Sequence, residues 1–338
     1  LGNITGLDFV EILEAFAALR LALPDLHAWF NHQISKGIHL RLPAAGLSRL
    51  FASSARLSLL DASMSERLLG RLLTVASPMR PPSLETVATL CNGLYLLDWN
   101  PPLADLWQIV AWLAQFTDKR KSPLQALILQ QFALKLLADP RCRKTVDAFQ
   151  SEFQHALALS LEKPILRRNL ATDTTLKFKH EVAESLRSVG RTYDLDVILG
   201  ADFCADIVLS GPEVGLWLID GPEAFYRPFE LDNMRLVPSE LRRAEVLKFL
   251  LEHGETIQET VTRWHHTSQT AENPIIIASV AGRKLVEQRE SCFIRRLNWL
   301  DWTSSRPDQR LSLLLSQHAS RTPYFQRQSL RHGAMDVT

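Results

Sequence analysis

Apolar residues recur at helical spacing through the first half of the chain. Residues 8–21 (DFVEILEAFAALRL) place Phe9, Ile12 and Phe16 on one face, which is the pattern of an amphipathic helix. Similar segments follow, and turn signals such as Asn-Pro-Pro at 100–102 separate them. The pattern predicts helices over residues 8–21, 47–60, 65–76, 84–97, 103–116 and 124–137.

A period of 37 residues aligns Leu13, Leu50, Val87 and Leu124, all of which are apolar. Helices that recur with such a period are typical of an α-solenoid, which offers a long surface to RNA or to protein. An irregular helical bundle would give the same succession of helices. Both architectures therefore remain open at this point, and we favour the solenoid.

The pattern changes after about residue 160, where short apolar runs bounded by turn residues predict a mixed sheet. A helix that ends at Gly190 precedes the strands, and an amphipathic helix over residues 241–254 follows them. The fold class is therefore α+β, with a helical domain over 1–160, an α/β domain over 161–318 and a basic tail over 319–338. Strands are predicted over residues 193–199, 205–210, 214–220 and the start of 291–302, whereas 273–280 fits either a strand or a helix.

Three stretches of the second half carry a family resemblance. KFKHEV (177–182) opens the first helix, IDGPEAFYR (219–227) ends the third strand, and NWLDW (298–302) follows the last strand. Over about residues 176–318 the chain resembles the RAP domain, an RNA-binding module abundant in apicomplexan parasites. The resemblance implies a PD-(D/E)xK nuclease-like fold behind helical repeats, in an organellar RNA-binding protein. The chain departs from the family's pattern over about residues 236–278, a segment longer than such a domain needs, which indicates an insertion there.

Nucleases of this fold hold a divalent cation between an acid on one strand and a (D/E)xK triplet on the next. Asp206 would supply the first acid, but the triplet reads Leu218-Ile219-Asp220 and has neither an acid at its first position nor a lysine. We therefore predict a degenerate centre with no catalysis, no metal and no cofactor. In that interpretation, the Asp220 carboxylate closes the Asp-Gly-Pro turn through a local backbone hydrogen bond.

Charge indicates where RNA would bind. The net charge is only +1, and residues 1–120 carry ten basic and ten acidic residues, but residues 281–338 carry ten basic residues against five acids. Arginines pair with phosphates and indoles stack on unpaired bases, although the two tryptophans of NWLDW would equally suit the domain core. The candidate RNA-binding residues are Arg167, Arg168, Lys177, Lys179, Arg242, Arg243, Arg295, Arg296, Trp299, Trp302, Arg306, Arg310, Arg321 and Arg327.

These features predict a non-catalytic organellar RNA-binding protein, with the mitochondrial matrix favoured over a plastid. Its sharpest form is a structural component of the mitochondrial ribosome that binds rRNA and neighbouring ribosomal proteins. The alternatives are an RNA maturation or stability factor, including an endoribonuclease, and a scaffold that contacts only protein. Four widely spaced cysteines favour a reducing compartment, and no apolar run reaches the length of a membrane span.

Overall fold

The chain folds into a helical N-terminal half and a small four-stranded sheet covered by helices. The computed structural model describes residues 4–76, 82–117, 121–142, 151–161, 172–200, 203–210, 214–227, 235–267, 292–306, 309–310 and 313–314. The helices of the first half are α1 (Gly6–Leu19), α2 (Leu26–Ser35), α3 (Ala44–Arg56), α4 (Ala62–Val75), α5 (Leu84–Leu96), α6 (Leu103–Ala114), α7 (Pro123–Ala138) and α8 (Ser151–Ser160).

Side-chain caps fix where several of these helices begin. Thr5, Asp61, Ser83 and Ser122 each accept a hydrogen bond from a backbone N–H in the first turn of the helix that follows. The six helices predicted from apolar periodicity are confirmed, with ends that differ by a few residues. The pattern missed α2 and α8, and it missed a short 3-10 turn over Ile38–Arg41.

Helices α1, α3, α5 and α7 pack side by side, each against the next. Gly93 lets α5 lie close to α3, because a Cβ atom there would lie 2.7 Å from the Phe51 ring of α3. Of the four positions aligned by the predicted period, Leu13, Leu50 and Val87 are fully buried, but Leu124 is 65% exposed. The four helices begin at residues 6, 44, 84 and 123, so their spacing is not a constant 37.

Lys135 of α7 caps the C-terminal end of α5. Its Nζ donates hydrogen bonds to the backbone carbonyls of Leu94 and Leu97, each at 2.5 Å, and to that of Trp99 at 3.3 Å. A lysine ammonium suits these last carbonyls because they carry the negative end of the helix dipole. Burial nevertheless lowers the pKa of Lys135 to about 7.

That pKa predicts how stability depends on pH. The folded chain releases the Lys135 proton near pH 7, whereas the unfolded chain holds it until near the ordinary value of 10.5. The unfolded state therefore binds more protons in this window, and the free energy of unfolding rises with pH, by about 2–3 kcal/mol from about pH 7 to pH 9. Chemical denaturation at each pH should show this rise in the parent chain and lose it in Lys135→Met. Parallel curves for the two proteins would contradict the assignment.

The second half begins with helix α9 (Asp173–Ser188) and three antiparallel strands, β1 (Thr192–Gly200), β2 (Phe203–Ser210) and β3 (Val214–Asp220). Helix α10 (Pro238–Thr267) precedes β4 (Cys292–Asn298), which pairs parallel to β3, and α11 (Trp299–Ser304) follows directly. The sheet order is β1-β2-β3-β4. The predicted strands at 193–199, 205–210, 214–220 and the start of 291–302 are thus confirmed, whereas residues 273–280 lie outside the described part.

Alternation along β3 assigns the two faces of the sheet. Trp217 and Ile219 pack with α9 and α11, in a cluster that includes Phe178 and Trp302. Leu216 and Leu218 belong instead to the large apolar cluster that α10 and the N-terminal helices share. One continuous core therefore joins the helical half to the sheet. None of the helices in the described ranges is long and apolar enough to cross a membrane.

The segment predicted as an insertion contains the whole of α10, whose Leu247 and Leu250 are buried in this shared core. Its first turns therefore form an integral layer of the domain. The segment after β3 also joins the two halves: the Arg227 N–H donates to the Arg20 carbonyl at 2.7 Å, and Ala22 N–H donates to the Arg227 carbonyl at 3.0 Å. The hydroxyl of Tyr226 lies 3.2 Å from that of Ser58, which ties the same segment to the end of α3.

Candidate functional site

The end of β3 forms a buried ion pair with β4. Asp220 is 2% exposed, and Arg296 reaches it across the parallel strands. Arg296 donates from Nε to Asp220 Oδ2 at 2.8 Å and from Nη2 to Oδ1 at 2.5 Å. Its Nη1 donates to the backbone carbonyl of Glu240, at the start of α10, at 2.8 Å. Arg296 and Asp220 therefore form a bidentate ion pair, in which each carboxylate oxygen accepts one N–H group of the guanidinium.

A second ion pair lies on the same face of the sheet. Arg243 of α10 donates from Nη2 to Asp206 Oδ2 at 2.9 Å and to the Cys204 carbonyl at 2.8 Å. The same Asp206 oxygen accepts the N–H of Ile219, on the neighbouring strand, at 2.8 Å. Glu240 lies 3.5 Å from Arg243 Nη1 and adds a further negative charge. Two carboxylates of the sheet are thus each matched by an arginine.

Burial and these partners set the protonation of the cluster. Burial raises the pKa of Asp220 to about 6, and the charge and hydrogen bonds of Arg296 oppose that rise. Burial also raises the pKa of Asp206, against the opposing charge of Arg243. Burial alone would lower the pKa of Arg243, but Asp206 and Glu240 raise it above its ordinary value. At pH 7 Asp220 is therefore mostly ionised, opposite the Arg296 guanidinium, and Asp206 lies opposite Arg243.

The expectation that the Asp220 carboxylate closes the Asp-Gly-Pro turn is wrong, because Arg296 engages both of its oxygens. The turn instead needs its glycine for packing: a Cβ atom on Gly221 would lie 1.7 Å from Oγ1 of Thr175 in α9. Position 218, the first of the triplet, is a leucine. It pairs in register with Arg296, and its side chain is fully buried.

These residues do not fit a divalent cation. Magnesium requires several converging oxygens with free lone pairs, whereas Asp206 and Asp220 direct theirs to guanidinium and backbone N–H groups. Within the described ranges, no group of three or more histidine, cysteine or acidic side chains has the geometry to hold a metal.

Several predicted RNA-binding residues lie in the interior. Arg243 and Arg296 form the ion pairs described above. Lys179 is buried and paired with Asp196. Arg242 pairs with Glu245 and reaches Asp98 at 3.5 Å. Trp302 is 1% exposed, and its indole N–H donates to Glu181 Oε2 at 3.0 Å, so the alternative that it packs in the domain core is confirmed.

The remaining candidates divide between half-buried and exposed positions. Arg295 lies over the Trp217 ring, 5.5 Å from its centre, and donates to the Leu314 carbonyl at 3.1 Å. Arg310 lies over the Trp302 ring at 5.2 Å, and Trp299 is half-buried beside the same cluster. Lys177 and Arg306 are exposed. The other four candidates, Arg167, Arg168, Arg321 and Arg327, lie outside the described residues.

No protein-family model matches the chain, and no curated protein matches it at a significant level. The resemblance to the RAP domain therefore rests on the three stretches at residues 177–182, 219–227 and 298–302.

Proposed function

We propose that this chain is a non-catalytic organellar RNA-binding protein and, in its most specific form, a structural component of the mitochondrial ribosome. In this proposal the helical half is an α-solenoid that holds neighbouring proteins, and the α/β half is a RAP-like domain that contacts rRNA. The observation that carries the proposal is the pairing of Asp206 with Arg243 and of Asp220 with Arg296. A nuclease-like frame whose two acids are bound by arginines can hold RNA without cutting it.

The physical reason is electrostatic. Metal-dependent hydrolysis needs carboxylates that hold a cation, which then activates water and stabilises charge on the leaving phosphate. Here each carboxylate is already neutralised by a guanidinium with good hydrogen-bond geometry. A cation would have to displace an arginine and leave that charge buried and unpaired, at a cost of several kcal/mol, about 3–5 in comparable cases.

RNA contact is assigned to the edge formed by α9, α11 and the residues after them. Lys177 and Arg306 are exposed there, and Arg295, Trp299 and Arg310 lie half-buried nearby. The guanidinium of Arg310 stacks on Trp302 and lies 3.8 Å from Glu181 Oε2, an arrangement that fixes the guanidinium so that little side-chain entropy is left to lose. The near-neutral net charge favours a protein that shares RNA binding with protein contacts.

Co-sedimentation with mitochondrial ribosomal subunits tests the ribosomal form of the proposal. Because an integral component is held by protein contacts as well as phosphates, we expect it to stay bound at salt concentrations that strip purely electrostatic RNA binders. Quantitative release at moderate salt, with crosslinks to a single messenger transcript, would instead support a maturation or stability factor. Subunit binding without any RNA crosslink would support a scaffold.

A further inference from the structure

A second basic cluster lies on the N-terminal helices, far along the chain from the edge formed by α9 and α11. His39 belongs to the 3-10 turn Ile38–Arg41, and Arg67 and Arg71 lie one helical turn apart on α4. Residues at that spacing share one face of a helix. Arg71 Nη2 donates to the Leu40 carbonyl at 2.8 Å, which holds α4 against the turn.

Among the described residues, no acid pairs with the two arginines of this cluster, whereas two other arginines of the helical half have carboxylate partners. Arg49 pairs with Glu14 at 2.5 Å, and Arg141 pairs with Asp139 at 2.7 Å. Within the described ranges, by contrast, neither Arg67 nor Arg71 has a carboxylate within ion-pair distance. Arg67 is exposed and Arg71 is half-exposed, so their charges face solvent.

Two buried nitrogens of the cluster also lack partners among the described residues. They are Nε of Arg71 and Nδ1 of His39, whose residue is only 3% exposed. Both atoms are shielded from solvent, so any contact with a ligand falls to the exposed parts of the two guanidiniums. Burial lowers the pKa of His39, and the charges of Arg67 and Arg71 lower it further, so the surroundings are electropositive.

We propose that Arg67 and Arg71, which lie beside the buried His39, form a phosphate-binding site for the backbone of the same RNA, an assignment that rests on the proposed function. Guanidiniums match the oxygens of a phosphate with paired hydrogen bonds, and backbone contacts of this kind position RNA without reading its sequence. The site gives the helical half a direct role in RNA binding. The RNA would then span from α4 to the edge near α11.

The test measures binding of a labelled single-stranded RNA by the full chain across a salt series. Removing one phosphate-binding charge lowers the slope of log affinity against log salt by about 0.7, so Arg67→Gln/Arg71→Gln should lower it by about 1.4. That change corresponds to about a 25-fold decrease in affinity at about 0.1 M salt. The matched control is Arg49→Gln/Arg141→Gln, which removes the same two charges from paired sites of the helical half and should keep the parent slope.

The outcomes separate the two proposals. If Arg67→Gln/Arg71→Gln has the same salt slope as the parent chain, and circular dichroism shows that it is folded, the phosphate site is wrong. The proposed function is unaffected by that result. Absence of RNA binding by the parent chain overturns both. If poly-glutamate binds the parent chain and not the double variant, while RNA binding is equal in the two, the cluster binds acidic protein and the phosphate assignment is wrong.

Discussion

Replacing Arg296 with methionine is expected to lower the free energy of unfolding by about 3–5 kcal/mol near neutral pH. Methionine keeps much of the apolar volume, but it leaves the Asp220 carboxylate buried without a counter-charge. It also removes the donor to the Glu240 carbonyl. Urea denaturation measures the decrease. The control is Arg187→Met, which removes an exposed arginine paired with Glu184 on its own helix and should cost less than about 1 kcal/mol.

The destabilisation by Arg296→Met should shrink as the pH falls. Burial already raises the pKa of Asp220 above its ordinary value of 3.8, and without Arg296 nothing opposes that rise as strongly. A raised folded-state pKa contributes stability that is present at low pH and is lost as the pH rises through that pKa. The variant should therefore come closest to the parent at the acidic end of the series. A destabilisation independent of pH would contradict this account of the ion pair.

A compensating change distinguishes an ion pair from simple loss of packing. Asp220→Leu/Arg296→Met replaces both charges with apolar groups, and a buried pair replaced in this way is often no less stable than the original. We expect the double variant to be more stable than Arg296→Met by about 2–3 kcal/mol near neutral pH. A double variant that is less stable than the single one would show that Asp220 stabilises the fold through other contacts.

Replacing Gly221 with alanine is expected to lower the free energy of unfolding by about 2–3 kcal/mol, through overpacking. The backbone there has φ −72° and ψ 178°, which alanine adopts without strain. The cost is therefore steric: the new Cβ atom would meet Oγ1 of Thr175 at 1.7 Å and its Cβ at 2.8 Å, in the buried first turn of α9. Thermal and urea denaturation measure the effect.

Two further variants isolate that clash. Thr175→Ala removes the nearer atom, so Gly221→Ala should cost about half as much in that background, and a double-mutant cycle gives the difference. Gly70→Ala is the control, since a Cβ atom at that exposed position of α4 would meet nothing within 4 Å. Alanine in a helix is favoured over glycine by about 1 kcal/mol, so this change should stabilise. An equal cost for Gly221→Ala in both backgrounds would contradict the steric explanation.

Local patterns in the sequence predicted the elements well, because each depends on neighbours a few residues away. Helices α1 and α3 to α7 follow the spacing of their apolar residues, and β1 to β3 follow short apolar runs bounded by turns. The fourth position of the 37-residue period shows that residue type alone does not predict burial. Leu124 has the right residue type, yet it lies exposed near the start of α7, because helix phase and neighbours decide burial.

The chemistry of the site was less predictable, because its pairs form only in three dimensions. Arg243 lies 37 residues after Asp206, and Arg296 lies 76 residues after Asp220, so nothing local joins them. The motif pattern singled out both acids as positions of a degenerate nuclease centre, whereas both arginines were predicted as RNA-binding residues. A basic residue on an amphipathic helix gives no sign of whether it reaches solvent or a carboxylate on the sheet beneath it.

One experiment tests the central claim that the acids of the sheet hold arginines and that the domain binds RNA without cutting it. A labelled single-stranded RNA is incubated with the full chain in magnesium or manganese, and each sample is divided between a native and a denaturing gel. The account predicts a shifted complex on the native gel and full-length RNA on the denaturing gel. Fragments that appear with the metal, and that both EDTA and Asp206→Ala abolish, would contradict it.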